Sequence, residues 1–194
     1  MKHLTLIIFL FATTVLSAQH LGIKGGLNFT NVSSERDLNL STSNGFHAGL
    51  TLDLSLPLLI DMSTGLIYTR RGYKSNEPGR VGNVSIDYLD VPIDLVFKFK
   101  VADLVGVYVS AGPYFSYGLS SQVFDTNGIL RNGFTRDDID LNRFDSGLSI
   151  GVGVDVSKFR LSTGYSLSLT DNGADLENRL ENRIFIISLG YIIF

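Results

Sequence analysis

The residues able to do chemistry in this 194-residue chain are ten ionisable side chains: Lys24, His47, Asp53, Asp90, Asp94, Lys98, Arg143, Asp145, Asp155 and Arg160. Each stands at an alternate position among glycines and serines, opposite a run of leucine, isoleucine, valine or phenylalanine. Alternation places all ten on one face of strands. If that face is interior, the charges must pair with one another or contact water. The expected chemistry is a salt-bridged core that closes a bore, and the alternative is a narrow pathway for protons or small ions.

Other chemistries find less support. His3 lies in an N-terminal apolar segment and His20 beside its end, which leaves His47 as the candidate general base. It would need a nucleophile and an orienting carboxylate within hydrogen-bond reach. Asp53 lies six residues along the same segment, ~20 Å away in an extended strand, and cannot orient the ring. Ser or Asp groups from neighbouring strands stay open, and no catalytic residue is assigned. Asp138, Asp140 and Asn142 alternate like the start of a calcium loop, but Arg143 stands where that loop needs glycine. No metal is expected. "GVGVDV" at 151–156 lacks the third glycine and following helix of a dinucleotide site and reads as a glycine stripe. No cofactor is expected. A net charge of −3 leaves no basic patch for nucleic acid. The Asn-Xaa-Ser/Thr triplets at Asn28, Asn31 and Asn83 matter only in a eukaryotic secreted protein.

The elements that must position these groups are strands. In "GFHAGLTLDLSL" (45–56), Phe46, Ala48, Leu50, Leu52, Leu54 and Leu56 oppose His47, Gly49, Thr51, Asp53 and Ser55. Similar alternation predicts eight strands over 20–30, 45–56, 59–72, 84–100, 104–120, 143–156, 159–170 and 183–193. The links at 56–58, 101–103 and 157–158 are tight, whereas 31–43, 73–83, 121–142 and 171–182 are long and polar. Long and short links alternate strictly, as in outer-membrane barrels with short periplasmic turns and long extracellular loops. Lys2 and His3, the apolar run 4–16 and Ser17-Ala18-Gln19 have the order of a secretory signal peptide. Cleavage is expected after Ala18, or after Ser17, leaving one domain over 19–194. No cysteine is present for disulfides or lipid attachment.

The composition of the two faces decides which looks inward. A water-facing surface would carry Lys, Glu, Gln and Thr. Here the polar face is mainly Gly and Ser with a few charges, which suits the cramped lumen of an eight-stranded barrel. Leu50, Leu52, Val107, Val109, Ile150, Val152 and Leu167 are therefore expected to face lipid. Closure then follows, because an open sheet edge in lipid would leave backbone groups unpaired. Phe29, Phe46, Tyr68, Tyr117, Phe144, Phe159 and Tyr191 are expected near the headgroups.

The stretches "GIKGGLNFTN" (22–31), "GFHAGL" (45–50), "DYLDVPIDLVFKF" (87–99), "AGPYFSYGLS" (111–120) and "ENRIFIISLGY" (181–191) together resemble the outer-membrane β-barrel family of Bacteroidetes often labelled porin family or PorT-like. The likeness covers nearly the whole mature chain. It implies a small barrel in the Gram-negative outer membrane, inserted by the barrel-assembly machinery after export. The end departs from that pattern: Phe194 shares parity with Ile192, Gly190 and Ser188, not with Phe185, Ile187, Leu189, Tyr191 and Ile193. A bulge before Phe194 or a terminal aromatic out of register would account for it.

The fold expectation is an all-β, eight-stranded antiparallel up-and-down transmembrane barrel. Its function is expected to be structural or partner-binding, through extracellular loops. The segment 121–142, with apolar residues and Asn-Gly pairs at 127–128 and 132–133, predicts a hairpin extending past the membrane. The competing readings are a small-solute or ion channel and a soluble lipocalin-like binder of an apolar ligand.

Overall fold

Strict alternation of large apolar and small polar side chains commits the backbone to pleated strands, because helical geometry would scatter both classes over all faces. The computed structural model describes residues 19–33, 40–56, 60–75, 83–124, 130–132, 135–136, 139–140, 143–170 and 181–194. Its strands are β1 (Gln19–Ser33), β2 (Leu40–Ser55), β3 (Ile60–Ser75), β4 (Asn83–Ala102), β5 (Val105–Phe124), β6 (Leu130–Asn132), β7 (Thr135–Arg136), β8 (Ile139–Asp140), β9 (Phe144–Val156), β10 (Phe159–Ser168) and β11 (Glu181–Ile192). Eight of them, β1–β5 and β9–β11, form a closed antiparallel barrel. Each pairs with its neighbours in sequence among those eight, and β1 pairs with β11 to close the ring. Closure leaves no edge strand in the wall.

One end of the barrel carries the tight links. Leu56 N donates to Ile60 O at 3.0 Å, and β4 joins β5 through Asp103 and Leu104. The β9–β10 hairpin turns on Ser157 and Lys158, and Ser157 has φ 56°. That left-handed conformation is what a two-residue hairpin loop requires of its first residue. Ser157 N also donates to Leu104 O at 2.8 Å, tying two turns together.

At the opposite end the wall is uneven. The β4–β5 ladder climbs to Asn83↔Phe124, whereas β9 begins opposite Tyr117. The expected hairpin is present there: β6 pairs with the upper end of β5 from Gln122↔Asn132 to Phe124↔Leu130. Residues 125–129, the segment 1–18 expected to be a signal peptide, and Asp138 and Asn142 of the acidic run lie outside the described residues.

The apolar side chains point outward and the small polar ones inward. Leu50 is 51% and Ile150 61% exposed, and Val107, Val109, Val152 and Leu167 are exposed on the same surface. Leu52 shares that face and is half-buried. Aromatic pairs mark both ends of this surface: Phe46–Tyr68, Phe29–Phe185 and Phe115–Phe144 above, and Phe159–Tyr191 below, with centroids 5.2–6.3 Å apart. The inward glycines make room for rings. Tyr108 lies opposite Gly153 and Tyr114 opposite Gly147. A Cβ on those glycines would come within 2.5 and 2.6 Å of the tyrosine rings.

The C-terminus ends in a bulge. Ile193 N donates to Leu21 O at 2.8 Å, and Leu21 N donates to Phe194 O at 3.0 Å. One residue of β1 therefore faces two of the last strand, which shifts the side-chain alternation by one. Phe194, of inward parity in an unbroken strand, is 70% exposed.

Candidate functional site

Inside the barrel the charged residues fall into two clusters separated by a polar middle. The upper cluster, nearer the long loops, centres on Arg71 of β3. Its guanidinium contacts Asp90 of β4, Asp145 of β9 at 2.9 Å and Ser116 of β5 at 3.2 Å. It also lies over the rings of Tyr88 and Tyr114, 4.9 and 5.4 Å from their centroids. Asp145, 2% exposed as a side chain, additionally accepts from Ser168 at 2.5 Å and Tyr114 at 3.4 Å.

The lower cluster centres on Arg160 of β10. Two guanidinium nitrogens bind Asp155, its cross-strand partner on β9, at 2.8 and 3.0 Å. A third reaches over the bore to Asp53 of β2 at 2.8 Å. Asp53 also accepts from Ser63 at 2.6 Å, and Lys98 lies 3.8 Å from Asp53 and 2.6 Å from Asp61. Planar guanidinium groups suit this work, since one Arg can bond two carboxylates from different directions. Such pairs are weak evidence for net stability, but removing one partner strands a buried charge.

Between the clusters lie Lys24, Asp94 and His47. Asp94 accepts from Ser149 at 2.8 Å. Asn28 Nδ2 donates to the Arg70 carbonyl at 3.4 Å, which turns Asn28 Oδ1 toward His47 Nδ1, 2.8 Å away. His47 Nδ1 must then carry the proton, and Nε2 accepts from the Ser188 hydroxyl at 2.9 Å. A Ser–His–Asn line therefore forms from neighbouring strands, supplying the partners that Asp53 could not. All three residues are buried in the bore, and the backbone amides around Ser188 belong to the β1 and β10 ladders. The line acts as a hydrogen-bonded crosspiece.

Two cavities flank this middle layer. The upper, about 90 Å³, is bounded by Arg71, Asp90, Tyr114 and His47. The lower, about 110 Å³, is bounded by Arg160, Ser63, Tyr108 and Ser188. Lys24, Asp94, Ser149, Ser166 and Ile186 line both. Among the described residues no group of three His, Asp or Glu is arranged to hold a metal. Both spaces are well below the roughly 300–1,000 Å³ of clefts that hold drug-sized ligands, and the upper one is walled largely by apolar side chains such as Ile67, Ile184 and Ile186.

Of the ten expected charges, nine take part in or border the clusters and cavities above, and Arg143 precedes β9 at the upper rim, where it is exposed. Arg71 and Asp61 were missed. The signal for Arg71 was available: Leu66 and Tyr68 point outward, so Arg70 follows them out and Arg71 turns in. Ile67 on the inward face obscured that alternation. On the outside, Arg70 binds Asp87 through two bonds of 2.6 and 2.9 Å and lies 5.6 Å from the Phe46 ring centroid.

The sequence profile of the family described as outer membrane protein beta-barrel domain matches residues 17–173. No curated protein matches the chain. Among solved structures, neisserial surface protein A is similar at 14% identity over 89% of this chain and 97% of that one, with a TM-score of 0.51. Ail, the attachment invasion locus protein of Yersinia pestis, solved with the heparin analogue sucrose octasulfate, shares 17% identity over 89% and 97% at 0.49. The outer membrane protein OprG of Pseudomonas aeruginosa shares 13% over 90% and 95%, also at 0.49. Identities this low speak to fold alone, and of the three only the first likeness supports it. With the profile spanning most of the chain and the ring closed by eight strands, the chain belongs to the outer membrane protein beta-barrel domain family and is an outer-membrane barrel associated with membrane lipid.

Proposed function

We propose that this is a non-enzymatic integral protein of the Gram-negative outer membrane whose lumen is closed by its own charged side chains and whose function is structural or exerted on a protein partner at the long loops. The carrying observation is the pair of ion clusters spanning the bore, Arg71 with Asp90 and Asp145, and Arg160 with Asp155 and Asp53. In this reading Lys24, His47, Asp94 and Lys98 belong to the same closing network. Leu50, Leu52, Val107, Val109, Ile150, Val152 and Leu167 face acyl chains, and the aromatic pairs sit at the headgroups. Residues 1–18 act as a cleaved signal peptide, and 19–194 form the mature domain, inserted by the barrel-assembly machinery. The quoted stretches support a PorT-like member from Bacteroidetes.

Recording from the purified full-length protein in planar bilayers tests the closed lumen. The expected trace is flat at the resolution of single-channel steps. Steady, open conductance would refute closure and favour the small-solute channel.

A further inference from the structure

We infer that the lumen is closed twice in series, by Arg71 above and Arg160 below, with a hydrated chamber between them that small cations enter once either arginine is withdrawn. This rests on the closed-lumen reading and deepens it. Arg71 joins β3 to β9, and Arg160 joins β10 to β2. In the ring order of the eight strands each link skips two intervening strands, so each is a crossbar over the bore and not a bond along the wall. Arg71 bounds the upper cavity and Arg160 the lower. The two cavities share Lys24, Asp94, Ser149, Ser166 and one apolar side chain, Ile186, so they adjoin at one neck.

Three observations indicate water in that space. Each cavity has room for more than one molecule, given a share of about 30 Å³ per water in the liquid. Arg71 Nε and Asp90 Oδ1, both on residues bounding the upper cavity, have no hydrogen-bond partner among the described residues. Lys24, shared by both cavities, makes no ion pair within 4 Å among them, although a buried ammonium needs donors satisfied. The sign of the entering ion follows from the fixed charges. Asp53, Asp61, Asp90, Asp94, Asp145 and Asp155 face Lys24, Arg71, Lys98 and Arg160. Withdrawing an arginine deepens that acidic excess, and anions are repelled.

The chain contains no cysteine, so a single engineered thiol reports on the chamber. Ser166, buried at the neck, is the site. The full-length Ser166→Cys protein in detergent micelles, where both mouths meet the same solution, is exposed to silver ion, a thiol-seeking cation of small radius, and the remaining free thiol is measured over time. Adding Arg71→Ser or Arg160→Ser should each speed thiol loss at least tenfold, because one door is open. Neither single change should give steady conductance in planar bilayers. The two together should give stepwise conductance with a cation-selective reversal potential. Folding of every variant is verified by its heat-dependent electrophoretic mobility, and Arg→Gln replaces Arg→Ser where a variant does not insert. A single variant conducting as well as the double would overturn the series arrangement, and so would thiol protection persisting in both singles. A folded double variant that stays silent would mean a solid plug. Steady conductance of the unaltered protein would instead refute the closed-lumen reading itself.

Discussion

Replacing Asp53 by alanine probes the lower crossbar. Its carboxylate is 4% exposed as a side chain and accepts from Arg160 at 2.8 Å and from Ser63 at 2.6 Å. Breaking a buried ion pair by removing one partner costs about 3–5 kcal/mol. Arg160 keeps its two bonds to Asp155, which places Asp53→Ala near the lower bound, about 3 kcal/mol. Arg160→Ala removes bonds to two carboxylates and belongs near the upper bound, about 5 kcal/mol. In the double variant the bond between them is lost only once. The two single losses should therefore exceed the double loss by about 2 kcal/mol, the contribution of a hydrogen bond between charged groups. Urea titration of the protein in lipid vesicles, followed by far-ultraviolet circular dichroism, supplies the three differences. The chain has no tryptophan, which rules out the usual fluorescence signal. The Lys100–Asp103 pair, 3.5 Å apart and almost fully exposed, serves as control and should show no measurable coupling. Additivity of Asp53→Ala and Arg160→Ala within about 0.5 kcal/mol would show that the two side chains do not hold each other, and the crossbar would have to be abandoned.

Other perturbations test the faces and the turn. Ile150→Arg puts a charge on the outward surface far from both barrel ends and should destabilise by about 2–4 kcal/mol in the same titration, the penalty for arginine at mid-membrane; a neutral result would mean that this face does not meet lipid. Gly153→Ala should destabilise, because its new Cβ would sit 2.5 Å from the Tyr108 ring. Combining it with Tyr108→Ser should restore most of the loss, and failure to restore would place the clash elsewhere. Ser157→Gly should stabilise by up to about 1 kcal/mol, since φ 56° is unstrained for glycine; a lowered urea midpoint would contradict that.

Strand number, barrel type and the direction of each face were legible because they depend on alternation, a property of each segment alone. Within 143–156, Ile150 and Val152 must oppose Gly151 and Gly153 in any extended chain, whichever strands flank them. The excess of glycine and serine on one face then identified the cramped side without reference to a partner. The pairing of charges was not legible. Arg160 meets Asp53 from 107 positions away and Arg71 meets Asp145 from 74, and such contacts depend on ring closure and on the register of every strand between them. Arg143 shows the limit of alternation, which sets the face but not the height: its parity matched Asp145, yet it stands at the open rim. His47 acquires its proton position only once β1 and β11 bring Asn28 and Ser188 to either side of the ring. A period of two is written locally in the residues, whereas a crossbar needs the tube to close before its two ends exist in one place.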